Sequence, residues 1–181
     1  NMMDVIAAAG GSVKGVLWYQ GCSDVGEKEA QTYLERFGSM VRHMREALKD
    51  EKLPVITVQL DRCTLLLGTI SNMGYSKVRD AQRRAAREIP GVLVTPALDL
   101  TLSDCIHVSA SANLVLGERL ARLALRKIYG KRVGAEAPDL VSAIQTDKTH
   151  IRLQFAPVYD YLYCFEVPAD KLSLEAEDEA G

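Results

Sequence analysis

The chain has 181 residues, nearly half of them apolar and a quarter charged, with a formal net charge of -2. This suits one ordinary globular domain, alone or with a small appendage. It offers neither the basic excess that would attract nucleic acid or an anionic membrane nor an apolar run long enough to span a bilayer. The first residues, 1–11, hold no basic segment before an apolar core and do not read as a signal peptide. Asn1 is not an initiator methionine, so the chain is expected to start inside a longer protein, and localisation is not legible.

"KGVLWYQ" (14–20) is a short apolar run with β-branched and aromatic members, expected as a buried strand. A loop with two glycines follows. Tyr33, Phe37, Val41, Met44 and Leu48 then recur at three or four residues, which predicts a helix over 28–49 with one apolar face. Pro54 leads into "VITVQL", a second strand over 54–60. The stretch 61–76 reads mostly as a loop. A helix over 76–89 follows, with Ser76 as its expected N-cap, a stripe of Val78, Ala81, Ala85 and Ile89, and Pro90-Gly91 as its stop. "VLVTPAL" (92–98) is the third strand. The last long helix is expected to begin near Ser109 or Ser111, to carry Ala112, Leu116, Leu120, Ala124 and Ile128 at steps of four, and to stop at Gly130. Glu118 and Arg122 are spaced for an i,i+4 ion pair.

Apolar strands alternating with amphipathic helices imply an α/β fold, a three-layer α/β/α arrangement on a parallel sheet. Such sheets usually have more than three strands, and the others are expected upstream of Asn1. After Lys131 the texture changes. "DLVSAIQ", "THIRLQFAPV" and "YLYCFEV" are short strand candidates, so 1–136 form the α/β domain and 137–181 a small β appendage with an acidic tail. The cysteines Cys22, Cys63, Cys105 and Cys164 lack C-x-x-C spacing. Zinc and thioredoxin-like motifs are therefore poor readings, and free, mostly buried thiols are expected.

Ligands of parallel sheets bind beyond the carboxyl ends of the strands. That rim gathers Gln20, Asp61, Asp104 and His107 from distant segments. In D-x-x-H a compact turn brings the carboxylate to one imidazole nitrogen and leaves the other facing outward, the arrangement a general base requires. The plainer alternative is a surface Asp before a His that caps the next helix. The Gln20 amide either donates to a substrate oxygen, as in an oxyanion hole, or bonds loop backbone. Trp18 and Tyr19 read as core or pocket wall. His43 and His150 offer no metal cluster with His107.

The motifs together resemble a known family. "GVLWYQGCSD" is similar to the "WYQGES(N/D)" block of the sialate O-acetylesterase and acetylxylan esterase group of the SGNH hydrolases. "VRDAQRRAA" fits that group's R-x-(A/E)-Q helix, and "LDLTLSDCIHVSASANLVLGERLA" its D-x-x-H block, so that the resemblance covers roughly 10–132. It implies a hydrolase that removes acetyl groups from sugars without cofactor or metal. His107 would be the general base, Asp104 its orienter, and Gln20 a polar group serving the oxyanion region. Gly21, Arg79 and Gln82 would support the rim. Cys22 stands where the group has Glu, and a thiol cannot repeat a carboxylate's hydrogen bonds. The group's nucleophilic serine lies in an early "G-Q-S-N" block that this chain lacks. The resemblance therefore places the serine upstream of residue 1, and the missing amino-terminal portion would be a partner beside the acetylated carbohydrate. The rivals are a non-catalytic carbohydrate-binding or structural member of the fold, and a thiol hydrolase using Cys22.

Overall fold

The computed structural model describes residues 2–64 and 72–158. The candidate strand "YLYCFEV", the acidic tail, Cys164 and the middle of the loop after the second strand lie outside the described residues. In chain order the elements are α1 (Met2–Ala8), β1 (Val16–Trp18), α2 (Glu27–Leu48), β2 (Val55–Gln59), α3 (Asn72–Glu88), β3 (Val92–Pro96), α4 (Ala110–Lys127), β4 (Asp139–Gln145) and β5 (Ile151–Ala156). The chain divides into two compact units, with the boundary between Ala137 and Pro138.

In the first unit β1, β2 and β3 form a parallel sheet in that order, with Val16 opposite Val55 and Val55 opposite Val92. Alternation along the strands separates two cores. Val16, Trp18, Val55 and Val92 pack with Tyr33, Phe37 and Val41 of α2 and with Val78, Ala81 and Ala85 of α3. Val58 joins Ala97, Leu100 and the α4 residues Ala112 and Leu116 on the opposite face. The helical spacing of the sequence thus places α2 and α3 on one face of the sheet and α4 on the other. Each large apolar side chain so buried contributes roughly 1.5–3 kcal/mol.

Three expectations need correction. β1 is not a buried strand: Leu17 is 63% exposed. Among the described residues β1 pairs with β2 alone, so only its Val16–Trp18 face is covered. The helix expected from Ser76 starts four residues earlier, at Asn72. A Cβ on Gly74 would lie 1.9 Å from the carbonyl oxygen of Val25. The first turn therefore packs backbone against backbone on the loop before α2, and packing rather than an N-cap sets the start. Ser76 lies inside the helix, where its Oγ accepts from Arg79 Nη2 at 3.2 Å. The three cysteines among the described residues are free but not mostly buried, since Cys22 and Cys105 are exposed and Cys63 is buried; both exposed ones lie in loops beyond the sheet.

α1 had no counterpart in the sequence reading. It ends where Gly10 and Gly11 take φ of 101° and 74°, and the Gly11 N–H bonds the Ile6 carbonyl at 2.8 Å. α4 is capped as its sequence predicts. Ser109 Oγ accepts from the Ala112 N–H at 3.2 Å, and beyond the last turn Gly130 has φ 66° while the Lys131 N–H reaches the Leu125 carbonyl at 2.8 Å, so a left-handed glycine closes the helix end. Arg122 and Glu118 pair at 2.8 Å. In the second unit β4 and β5 form an antiparallel pair, with Ala143 opposite Leu153.

Candidate active site

The segment after β3 folds back on itself before α4. Leu102 and Val108 form an antiparallel bridge, and the Ser103 N–H bonds the His107 carbonyl at 2.8 Å. The tip of this small hairpin is Asp104 to His107. Asp104 Oδ1 accepts the backbone N–H groups of Ile106 and His107, each at 2.8 Å, which aims Oδ2 at the imidazole; His107 Nδ1 lies 2.7 Å from it. The two Oδ1 bonds and the His107 contact hold the Asp104 carboxyl down at about 2. An ionised carboxylate on Nδ1 fixes a proton there and leaves Nε2 as the basic nitrogen. The His107 side chain is 69% exposed, so Nε2 can be reached from outside.

The sequence repeats this device. Asp147 and His150 form a second D-x-x-H in the turn between β4 and β5. Asp147 Oδ1 accepts the Thr149 N–H at 2.8 Å, and His150 Nδ1 lies 2.9 Å from the carboxylate. Even the flanking bond recurs, from the Thr146 N–H to the His150 carbonyl at 3.0 Å. The Asp–His contact is thus a property of the turn. The pair at 104 and 107 follows β3 and stands beyond the carboxyl ends of the parallel sheet.

The floor of the rim is built by α3. Gln82, fully buried, donates from Nε2 to the Gln20 carbonyl at 3.0 Å and accepts the Leu60 N–H on Oε1 at 2.9 Å. One carboxamide therefore ties together the ends of β1 and β2. Tyr33 Oη adds a bond to the same Gln20 carbonyl at 2.9 Å. Arg79 Nη1 donates to the Asp61 carbonyl at 3.0 Å. Gly21, at φ 143°, passes so close that a Cβ there would meet Val78 Cγ1 at 3.0 Å and Gln82 Nε2 at 3.2 Å.

Gln20 engages the loop that follows it through a side chain rather than through backbone. Its amide donates to the carboxylate of Asp24, because the turn closed by the Asp24 N–H on the Gly21 carbonyl, at 2.8 Å, folds Asp24 back over it. Arg36 Nη1 completes the chain at 2.7 Å from Asp24. Gln20, Asp24 and Arg36 line a cavity of about 200 Å³ with Trp18, Tyr33, Phe37 and Met40. Trp18 is thus pocket wall. Asp24 and Arg36 were missed because an ion pair twelve residues apart, between a loop and a helix, has no local signature.

Cys22 follows this turn. Although the residue is exposed overall, partial desolvation of the thiol, and then the nearby Asp61 carboxylate, push it up, which disfavours the thiolate that a cysteine nucleophile needs. Asp61 follows β2 and is 2% exposed. Burial pushes its carboxyl up, against an opposing pull from its own N–H, His107, Arg79 and Arg62. Asp99, also on this rim, is committed to Arg119 through two contacts of 2.7 and 2.6 Å. Among the described residues no three His, Cys, Asp or Glu side chains converge as a metal site, and no helix is long and apolar enough to cross a membrane.

Residues 1–126 match the family described as carbohydrate esterase, sialic acid-specific acetylesterase. The chain belongs to this family. A probable carbohydrate esterase of Arabidopsis thaliana is 34% identical over 119 residues, which are 64% of this chain and 42% of that protein. The crystal structure of a carbohydrate acetylesterase from Xanthomonas citri superposes with a TM-score of 0.63 at 29% identity, covering 74% of this chain and 30% of the other. The crystal structure from the same Arabidopsis locus gives a TM-score of 0.57 at 32% identity over 66% and 47% of the two chains. The chain therefore spans less than half the length of each of these esterase relatives.

Proposed function

We propose that the chain carries the histidine–carboxylate half of a carbohydrate O-acetyl ester hydrolase site, with His107 as general base and Asp104 as its orienter. The observation that carries this reading is the 2.7 Å contact between His107 Nδ1 and Asp104 Oδ2 on an exposed hairpin beyond the carboxyl ends of the sheet. Membership of the esterase family supports the ester chemistry. The attacking serine is proposed to come from sequence upstream of residue 1, in keeping with the short share of each relative that the chain spans. His107 Nε2 takes the serine proton as Oγ bonds the acetyl carbon, then passes it to the sugar oxygen as the ester C–O bond breaks. Water, deprotonated by the same nitrogen, releases acetate and restores the serine. Gln20 is proposed to serve the oxyanion side, its donor oriented by Asp24. Gly21, Arg79, Gln82 and Cys22 shape the floor.

The test is hydrolysis of an acetylated sugar by the full-length gene product. His107→Ala should lower kcat by roughly two to four orders of magnitude, the usual worth of a positioned base, and Asp104→Asn by a comparable factor through the wrong tautomer. The 181-residue chain alone should be inactive. Turnover that survives His107→Ala would refute the assignment. Parent-like activity in the isolated chain would place the nucleophile within it.

A further inference from the structure

Arg36 belongs to none of the sequence motifs, yet the polar chain that starts at Gln20 ends on it. We propose that Arg36 is a positioning residue which, acting through Asp24, fixes the polarity of the Gln20 carboxamide, so that an N–H and not an oxygen meets the oxyanion side of the site. The inference rests on the reading of Gln20 as the oxyanion donor and adds to it the residue that decides which end of the amide is offered.

A carboxamide can turn by half a turn about its last bond and exchange a donor for an acceptor with little change of shape. The Gln20 backbone has no such freedom, because its carbonyl accepts from Gln82 Nε2 at 3.0 Å and from Tyr33 Oη at 2.9 Å. The polarity of the side chain is what remains open, and Asp24 closes it. The two oxygens of Asp24 are divided between two donors: Oδ1 lies 2.7 Å from Arg36 Nη1, and Oδ2 accepts from Gln20 Nε2. Its side chain is only 15% exposed, so the protein rather than water supplies its partners. Burial pushes the carboxyl up, but the bonds from Gln20 and Arg36 outweigh it and leave the group below its ordinary value. An ionised carboxylate only accepts, so the Gln20 atom that faces it is the nitrogen. One N–H is engaged there, and the second N–H of the same nitrogen is the donor for the substrate. Arg36 is itself anchored on α2, with Nη2 donating to the Glu29 carbonyl at 2.8 Å and Nε to Thr32 Oγ1 at 3.2 Å. A guanidinium only donates, so Arg36 claims an acceptor at position 24 whichever side chain stands there.

This division of acceptors predicts a rescue. In Asp24→Asn one oxygen remains, and Arg36 claims it. The new nitrogen then faces Gln20, whose amide turns to present Oε1, and both N–H groups leave the place they held. The substrate meets an acceptor there instead of a donor. In the full-length gene product, kcat on an acetylated sugar should fall about a hundredfold, the lower range for loss of one oxyanion donor, while KM moves little, because the donor acts on charge that develops in the transition state. Removing the claimant reverses this. In Asp24→Asn/Arg36→Met the asparagine is free to turn its own oxygen to Gln20 Nε2, and kcat should recover about tenfold over Asp24→Asn alone. A merely structural role for the ion pair gives a double variant no faster than the single one. That result, or parent-like kcat in Asp24→Asn, overturns the inference. A second readout needs no turnover. In the 181-residue chain the Gln20 side-chain amide proton bonded to the carboxylate should resonate downfield of its partner, move upfield in Asp24→Asn and return toward its first position in the double variant; an unmoved signal overturns the inference. Failure of His107 as base, seen as turnover surviving His107→Ala, leaves these amide signals as they are, so the two failures are distinguishable.

Discussion

Replacing Gln82 by methionine keeps the volume of a fully buried side chain and removes every hydrogen bond it makes. The Leu60 N–H, itself buried, loses its partner on Oε1 at 2.9 Å. An orphaned buried donor costs roughly 1–3 kcal/mol. The Gln20 carbonyl loses the bond at 3.0 Å but keeps that from Tyr33 at 2.9 Å, so its share is below about 1 kcal/mol. The expected destabilisation of Gln82→Met is about 2–3 kcal/mol. Gln82→Ala adds the cavity left by the missing atoms and should cost about 3–5 kcal/mol. The assay is urea unfolding followed by Trp18 fluorescence. Trp18 is the only tryptophan in the chain and packs on the same core cluster, so its signal reports this unit. In thermal terms each kcal/mol corresponds to roughly 2–4 °C for a chain of this size. A Gln82→Met protein within about 0.5 kcal/mol of the parent would refute the idea that this carboxamide clamps the strand ends.

Gly21→Ala should destabilise by about 1–3 kcal/mol, since the residue combines φ 143° with a Cβ position 3.0 Å from Val78 Cγ1; an unchanged urea midpoint would argue that the loop relaxes freely. The Asp104 carboxyl, depressed to about 2, keeps its contribution above the ordinary carboxylate range and loses it only as pH falls through that value. Its ¹³Cγ signal should therefore titrate near pH 2, and a midpoint near the reference of roughly 3.9 would contradict the hairpin geometry. With its thiol pushed up, Cys22 should be alkylated by iodoacetamide more slowly at pH 8 in the folded chain than in the urea-unfolded chain, as read by peptide mass mapping; equal rates would show that its environment is water-like.

The helices were legible because their signal is redundant. Tyr33, Phe37, Val41 and Met44 on α2 recur at steps of four, four and three, and all are buried. The parallel order of the strands followed from that alternation with helices. β1 was misjudged because an apolar run states what a strand is made of, not how many neighbours it has, and Leu17 lies on a face that is left open. The start of α3 was misplaced because Ser76 carries a local capping signal, whereas the contact of Gly74 with Val25 is tertiary. The Asp104–His107 contact was legible as a turn property, and the twin at Asp147 and His150 explains why: five consecutive residues suffice to make it. Asp61 stood out at a strand end, but its burial is set by tertiary packing that no local pattern records. The engagement of Gln20 with Asp24 required the fold of the turn, which the letters "GCSD" do not dictate.

The Gln82 clamp also divides the rim by rate. The Leu60 N–H is shut beneath a side chain with no exposed surface, so its proton should exchange with solvent only when the whole unit opens. The amides of Ile106 and His107 are held instead by the exposed carboxylate of Asp104, and local fraying of the hairpin is enough to release them. Hydrogen exchange should therefore find a slow floor and a fast arm within one rim. The histidine rides on the fast arm, able to move while the strand ends below stay closed.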